Sequence, residues 1–156
     1  MRDPNEFDAF YLDARERLLL QTYALTGDLA ASRGAVRHAF VVAWHHWRKV
    51  SRLDDPESWV RPIAWGQAHR RQTARLWHRD KALDLEVRAT LDALGKLPLN
   101  QRKVLLLTQL ATVSMDQMAR EVGIPLDRAE RELQTATAQF SMARDVPTTV
   151  IRTLFE

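Results

Sequence analysis

Arginine and lysine are the side chains best placed to do chemistry in this sequence. Between Leu29 and Arg79 there are ten of them, at positions 33, 37, 48, 49, 52, 61, 70, 71, 75 and 79, against three acids, Asp54, Asp55 and Glu57. That surplus of seven sits in a 156-residue chain whose net charge is only +3, so the remainder is negative by four. Cations gathered in one stretch raise the local potential and favour a polyanionic partner. A solvated, arginine-rich surface explains the same stretch equally well. Other chemistries are poorly served. With no cysteine, disulfides and thiolate metal sites are excluded, which suits a reducing compartment. His38, His45, His46, His69 and His78 do not combine with acids at metal-ligand spacing and read as surface or packing residues. No nucleophile–base pair, phosphate loop or carboxylate pair stands out. The expectation is a binding protein rather than an enzyme, with no cofactor and no metal.

The elements that must carry these groups are helical. Five glycines and six prolines are few, and apolar residues recur at helical spacing with no sustained alternation. Phe7, Phe10, Tyr11, Ala14 and Leu18 share one face of a first helix, which Leu25-Thr26-Gly27-Asp28 breaks by supplying a terminal glycine and a new cap. A second helix runs to about Val50 with Val36, Phe40, Ala43, Trp44 and Trp47 as its apolar stripe. Asp55-Pro56-Glu57-Ser58 reads as an N-cap followed by proline at the first helical position, and the third helix runs to about Trp77. After a linker over 79–86, Val87, Leu91 and Leu94 mark a helix ended by Gly95, and Leu97-Pro98 restarts the chain into a buried helix around 101–107. Ser114-Met115-Asp116-Gln117 has the form of a capping box. A short helix over 114–122, a turn at Gly123-Ile124 and a helix over 126–140 then form a helix-turn-helix pattern, with small Ala119 where the two would cross. The fold class expected is all-α, in two small domains, 1–78 and 87–144, with a tail over 145–156. Val150, Ile151, Leu154 and Phe155 are apolar, so the tail docks back or the natural chain continues.

Four segments in this order resemble an extracytoplasmic-function sigma factor of the sigma-70 family. Leu25-Thr26-Gly27-Asp28, Ala35-Val36, Ala39-Phe40 and Ala43-Trp44 are similar to the start of sigma region 2. Asp55 through Arg61 resembles the opening of its promoter-facing helix. Leu97-Pro98, Gln101-Arg102 and Val104-Leu105 resemble the start of region 4, and 114–124 its helix-turn-helix. The Arg-, Trp- and Ala-rich composition looks closest to actinobacterial members. The resemblance implies partners: core RNA polymerase and promoter DNA, with an anti-sigma factor as regulator. It also implies site residues. Arg33, Gly34, Arg37, His38, Phe40 and Trp44 would face the polymerase; Arg61, Trp65, Arg70, Arg71 and Arg75 the −10 element; Arg128, Arg131, Gln134 and Thr135 the −35 element. Trp65 would stack on an unpaired base.

This chain departs from that family where contacts are made. The family carries acids in the polymerase-binding helix, where this chain has Arg33, Gly34, Arg37 and His38 and no acid between Leu29 and Leu53. Like charges juxtaposed across an interface cost several kcal/mol, and Gly34 weakens its helix by about 1 kcal/mol relative to Ala. In the −10 helix, Trp65-Gly66 stand where the family has Arg-Asn, and Pro62 forfeits the bond to the Ser58 carbonyl, which predicts a kink costing ~3 kcal/mol. In the reader helix, Asp127, Glu130 and Glu132 outnumber Arg128 and Arg131, opposing the phosphate attraction that supplies non-specific affinity. The eight-residue linker 79–86 spans at most ~28 Å, short of one ~34 Å turn of B-DNA, so two domains packed on each other are expected. Three functions stay open: a sigma factor with unusual contacts, a degenerate sigma-like module that captures an anti-sigma factor or belongs to a longer signalling protein, and a basic nucleic-acid-binding protein. The polar N-terminus and the lack of a ~20-residue apolar run predict a cytoplasmic protein without a membrane segment.

Overall fold

The computed structural model describes residues 2–72 and 84–156. The chain divides into two compact units, Met1–Leu76 and Trp77–Glu156, and the described residues are helical with no strand among them. The first unit holds α1 (Pro4–Thr26), α2 (Leu29–His45), a single turn α3 (Trp47–Val50) and α4 (Pro56–Arg71). The second holds α5 (Leu85–Gly95), α6 (Leu99–Leu110), α7 (Met115–Val122), α8 (Leu126–Arg144) and α9 (Val150–Phe155).

In the first unit α1 ends at Gly27, whose φ of 69° suits glycine, and Asp28 caps α2 by accepting from the Ala31 amide at 3.0 Å. Ala35, Ala39 and Ala43 recur every fourth residue on α2 and are fully buried, as are Ala64 and Ala68 on α4. Side chains this small let two helix backbones approach closely, and α2 against α4 is the main packing of this unit. The predicted second helix is interrupted. His46 leaves helical geometry at φ −111°, ψ 19°, and its amide is shared between the Val42 and Ala43 carbonyls. The bend turns Trp47 inward, where its ring lies 5.3 Å from both Phe7 and Phe10. Helix α4 ends at Arg71, where Gln72 is extended (ψ 119°) and its side-chain amide donates to the Thr26 carbonyl at 2.6 Å; the rest of the stretch expected to be helical as far as Trp77 lies outside the described residues. Asp55 occupies the N-cap position, but its carboxylate takes no helix amide and accepts instead from the Ser58 hydroxyl at 2.7 Å. The helix runs through Pro62 without a break.

In the second unit α6 is central: Val104, Leu105, Leu106 and Leu107 are buried, and α7, α8 and α9 all pack on it. Leu85 and Glu86, which the sequence placed in the linker, form the first turn of α5, because Asp84 caps it by accepting from the Glu86 amide at 2.7 Å. Arg144 ties the end of α8 back to α5 through the Thr90 hydroxyl (3.3 Å) and Glu86 (3.5 Å). The tail folds back: Asp145 turns the chain at φ 55°, and α9 buries Ile151 and Phe155. Thr148 accepts from Gln109, and Arg152 donates to the Gln109 carbonyl at 3.1 Å. No helix among the described residues is long and apolar enough to cross a membrane.

Candidate functional site

The helix-turn-helix forms as local chemistry dictates. The Ser114 hydroxyl accepts from the Gln117 amide at 3.1 Å, and Gly123 turns the chain at φ 85° with its amide on the Ala119 carbonyl at 2.8 Å. Only half of the capping box is made, since the Gln117 carboxamide accepts from Arg120 instead of reaching back. Ala119 is buried beneath the turn, and Ala129, Ala136 and Phe140 seat α8 on the core. The opposite face of α8 presents Arg128, Arg131, Gln134 and Thr135 to solvent. Its cations do not stand alone. Arg131 pairs with Asp127 at 3.1 Å and Arg128 with Glu132 at 3.8 Å, both along the helix. The Arg131 hydrogen bond holds the Asp127 carboxyl below its ordinary range.

On α2 the structure separates the sequence candidates. Arg33, Arg37 and His38 are exposed, and among the described residues no acid pairs with any of them. Gly34 is half-buried under the end of α4: a Cβ there would collide with the Arg71 guanidinium. Phe40 requires correction. It is 3% exposed, with its ring edge-on to Tyr11 at 4.9 Å, and it belongs to the core rather than to a polymerase-facing surface. Trp44 is half-buried, packed against Phe7 at 5.3 Å and covered by the Arg2 guanidinium at 4.7 Å.

Two −10 candidates are corrected for the same physical reason. Trp65 is 3% exposed, so its indole fills the α4 interface and is closed to a base. Arg61 is 2% exposed, and its guanidinium donates to Gln21 Oε1 at 2.9 Å and sits 3.7 Å from Glu57. A buried guanidinium must be hydrogen-bonded and paired; α1 supplies Gln21 and α4 itself supplies Glu57, which Arg17 of α1 grips in turn while bonding Asp13 at 3.0 Å. The Glu57 hydrogen bond raises the Arg17 pKa well above its ordinary value against the opposing effect of burial. This chain of polar groups pins α4 to α1. The i, i+4 spacings of Asp13–Arg17 and Glu57–Arg61 were visible in the sequence; that they meet was not. Arg70, bonded to Gln67 at 2.9 Å, and Arg71 remain exposed. Arg75 and His78 lie outside the described residues.

Beside the α2 arginines runs a groove the sequence did not reveal. Its volume is about 210 Å³, and Tyr11, Leu19, Val36 and Phe40 line it together with Arg15, Glu16, Arg33 and Arg37. No group of three or more His, Asp or Glu side chains that would hold a metal occurs among the described residues.

No protein-family model matches the chain, and no curated protein does. Solved structures do. CnrH in complex with the cytosolic domain of CnrY aligns over 89% of this chain and 87% of its own, at 22% identity and a TM-score of 0.68. The sigma factor RpoE, in complex with the anti-sigma factor NepR from Bartonella quintana, aligns over 90% of this chain and 97% of its own, at 15% identity and a TM-score of 0.74. The chain has a sigma-factor fold. The all-α expectation and the family resemblance hold at that level. At these identities the sigma-factor likeness is one of backbone, so the surface chemistry of this chain has to be read from its own residues.

Proposed function

We propose that this protein is a sigma-factor-like transcription regulator whose hold on core RNA polymerase and promoter DNA is weakened, and which works through an anti-sigma-type protein partner. The observation that carries the reading is the exposed α2 face, where Arg33, Arg37 and His38 stand with no acid anywhere between Leu29 and Leu53. A positive surface opposes the basic polymerase helices that the family's acids normally meet, by several kcal/mol for like charges in contact. The reader helix supports the same reading, since Arg128 and Arg131 are engaged by Glu132 and Asp127 and have less charge to offer phosphates. The two solved structures named above each hold a bound protein, in one of them an anti-sigma factor.

Gel filtration of the purified chain with core polymerase at low salt tests this. The chain is expected to elute alone, and a variant carrying Arg33→Glu and His38→Glu to shift toward the polymerase peak. Gly34 is left unchanged because a side chain there meets Arg71. Stable binding of the unaltered chain together with promoter-specific transcription would overturn the proposal.

A further inference from the structure

We infer that the α1–α2 groove of the first unit binds an acidic, amphipathic helix of a partner protein. This names the chemistry of the partner in the protein-interaction part of the proposed function and rests on that part. The groove has an apolar floor and a cationic rim. Half-buried Tyr11 and Leu19 form the floor, closed beneath by the buried Val36 and Phe40; Arg15, Arg33 and Arg37 form the rim, against one acid, Glu16. Arg15 is held over the Tyr11 ring at 5.7 Å, which fixes it at the edge. Two more apolar side chains on the same two helices are exposed, Leu12 at 67% and Val41 at 51%.

Size, shape and charge together select the occupant. At about 210 Å³ the groove is smaller than the ~300–1,000 Å³ of small-molecule sites, so it suits one or two anchoring side chains. From Tyr11 to Leu19 the groove wall follows α1 for about two turns, ~12 Å, which is the reach of anchors at i, i+3 or i+4, and i+7 of a docked helix. The three arginines then require carboxylates flanking those anchors. A nucleic-acid backbone would match the arginines but leave the apolar floor and Leu12 and Val41 uncovered. A basic helix would match the floor but be repelled by the rim.

The test uses the full chain and two labelled helical peptides of about three turns, ~11 residues. Both carry Leu anchors at i, i+4 and i+7, one with Glu and the other with Lys on the remaining face. Fluorescence anisotropy at low salt is expected to show saturable binding of the Glu peptide at least ~10-fold tighter than the Lys peptide, a gap of ~1.4 kcal/mol. Arg33→Glu with Arg37→Glu should reverse that preference, and Leu19→Ala should weaken the Glu peptide without reversing it. Far-UV circular dichroism checks that both variants are folded. Equal binding of the two peptides would overturn the inference, as would insensitivity to the double charge reversal. Displacement by a single-stranded oligonucleotide, with affinity that depends on the arginines but not on Leu19, would assign the rim to nucleic acid and overturn it too. Failure of both peptides removes this partner chemistry, whereas the core-polymerase experiment separately decides the sigma-like reading.

Discussion

Arg61 is the residue where a surface role and a core role make opposite predictions. Replacing it with alanine removes the donor that reaches Gln21 Oε1 at 2.9 Å inside the first unit, together with the 3.7 Å contact to Glu57. Depriving a buried polar group of its partner costs about 1–3 kcal/mol. The Glu57 contact adds about 0–1 kcal/mol, since Glu57 keeps Arg17. The expected loss is about 1–4 kcal/mol, a large share of the ~5–15 kcal/mol that holds a small domain folded. For a domain of this size each kcal/mol lowers the melting midpoint by ~4–8 °C, so Arg61→Ala should lower it by at least ~4 °C. Tryptophan fluorescence during thermal unfolding is the assay, because Trp44, Trp47, Trp59 and Trp65 all lie in the first unit. A second variant checks the cause: Arg61→Met with Gln21→Leu replaces the polar pair by apolar groups and should recover most of the loss. If Arg61→Ala left the unfolding midpoint unchanged and lowered affinity for promoter DNA instead, the core assignment would be refuted.

Other outcomes follow from the same contacts. Asp127→Asn with Glu132→Gln releases Arg131 and Arg128 from their ion pairs, and duplex DNA binding should then strengthen at low salt. Two added phosphate contacts would steepen the slope of log affinity against log salt by about 1.8, measured by anisotropy titration. Truncation before Val150 exposes the sites of Ile151 and Phe155, both buried. At ~1.5–3 kcal/mol for each buried side chain, the second unit should lose ~3–6 kcal/mol of stability, read by helical circular dichroism in urea. Asp127 should titrate below its ordinary 3.8, followed by NMR of its side chain. Its folded pKa is depressed, so its contribution is present above 3.8 and disappears as acid drives the pH down through the folded value. Arg131→Gln should bring the midpoint back toward 3.8.

Much of this molecule was written locally. Gly27 and Gly123 end helices because their positive φ suits glycine, Asp28 and Ser114 begin them with side-chain oxygens, and the alanine ladder of α2 marks a close helix contact. These signals act over a few residues, so they can be read in order along a chain, and they placed the helices and the helix-turn-helix. The charge pattern was equally legible: the sequence alone showed a basic second helix and a reader helix that opens net negative.

Burial was decided only by the tertiary structure, and it changed which residues count. The family resemblance put Arg61 and Trp65 toward the −10 element, Trp65 as a stacking platform, because residue type and position name a chemistry without saying which way the side chain faces. Helix α1, about forty residues away in sequence, buries Arg61 beside Gln21, and Gly34 finds its neighbour in Arg71 from the far end of α4. The groove between Tyr11 and Phe40, with Arg15 from α1 facing Arg33 and Arg37 from α2, exists only once two helices lie side by side. Periodicity fixes what each helix offers. Which offers meet, and which stay in water, depends on contacts between residues far apart in the chain, and those carry no local signature.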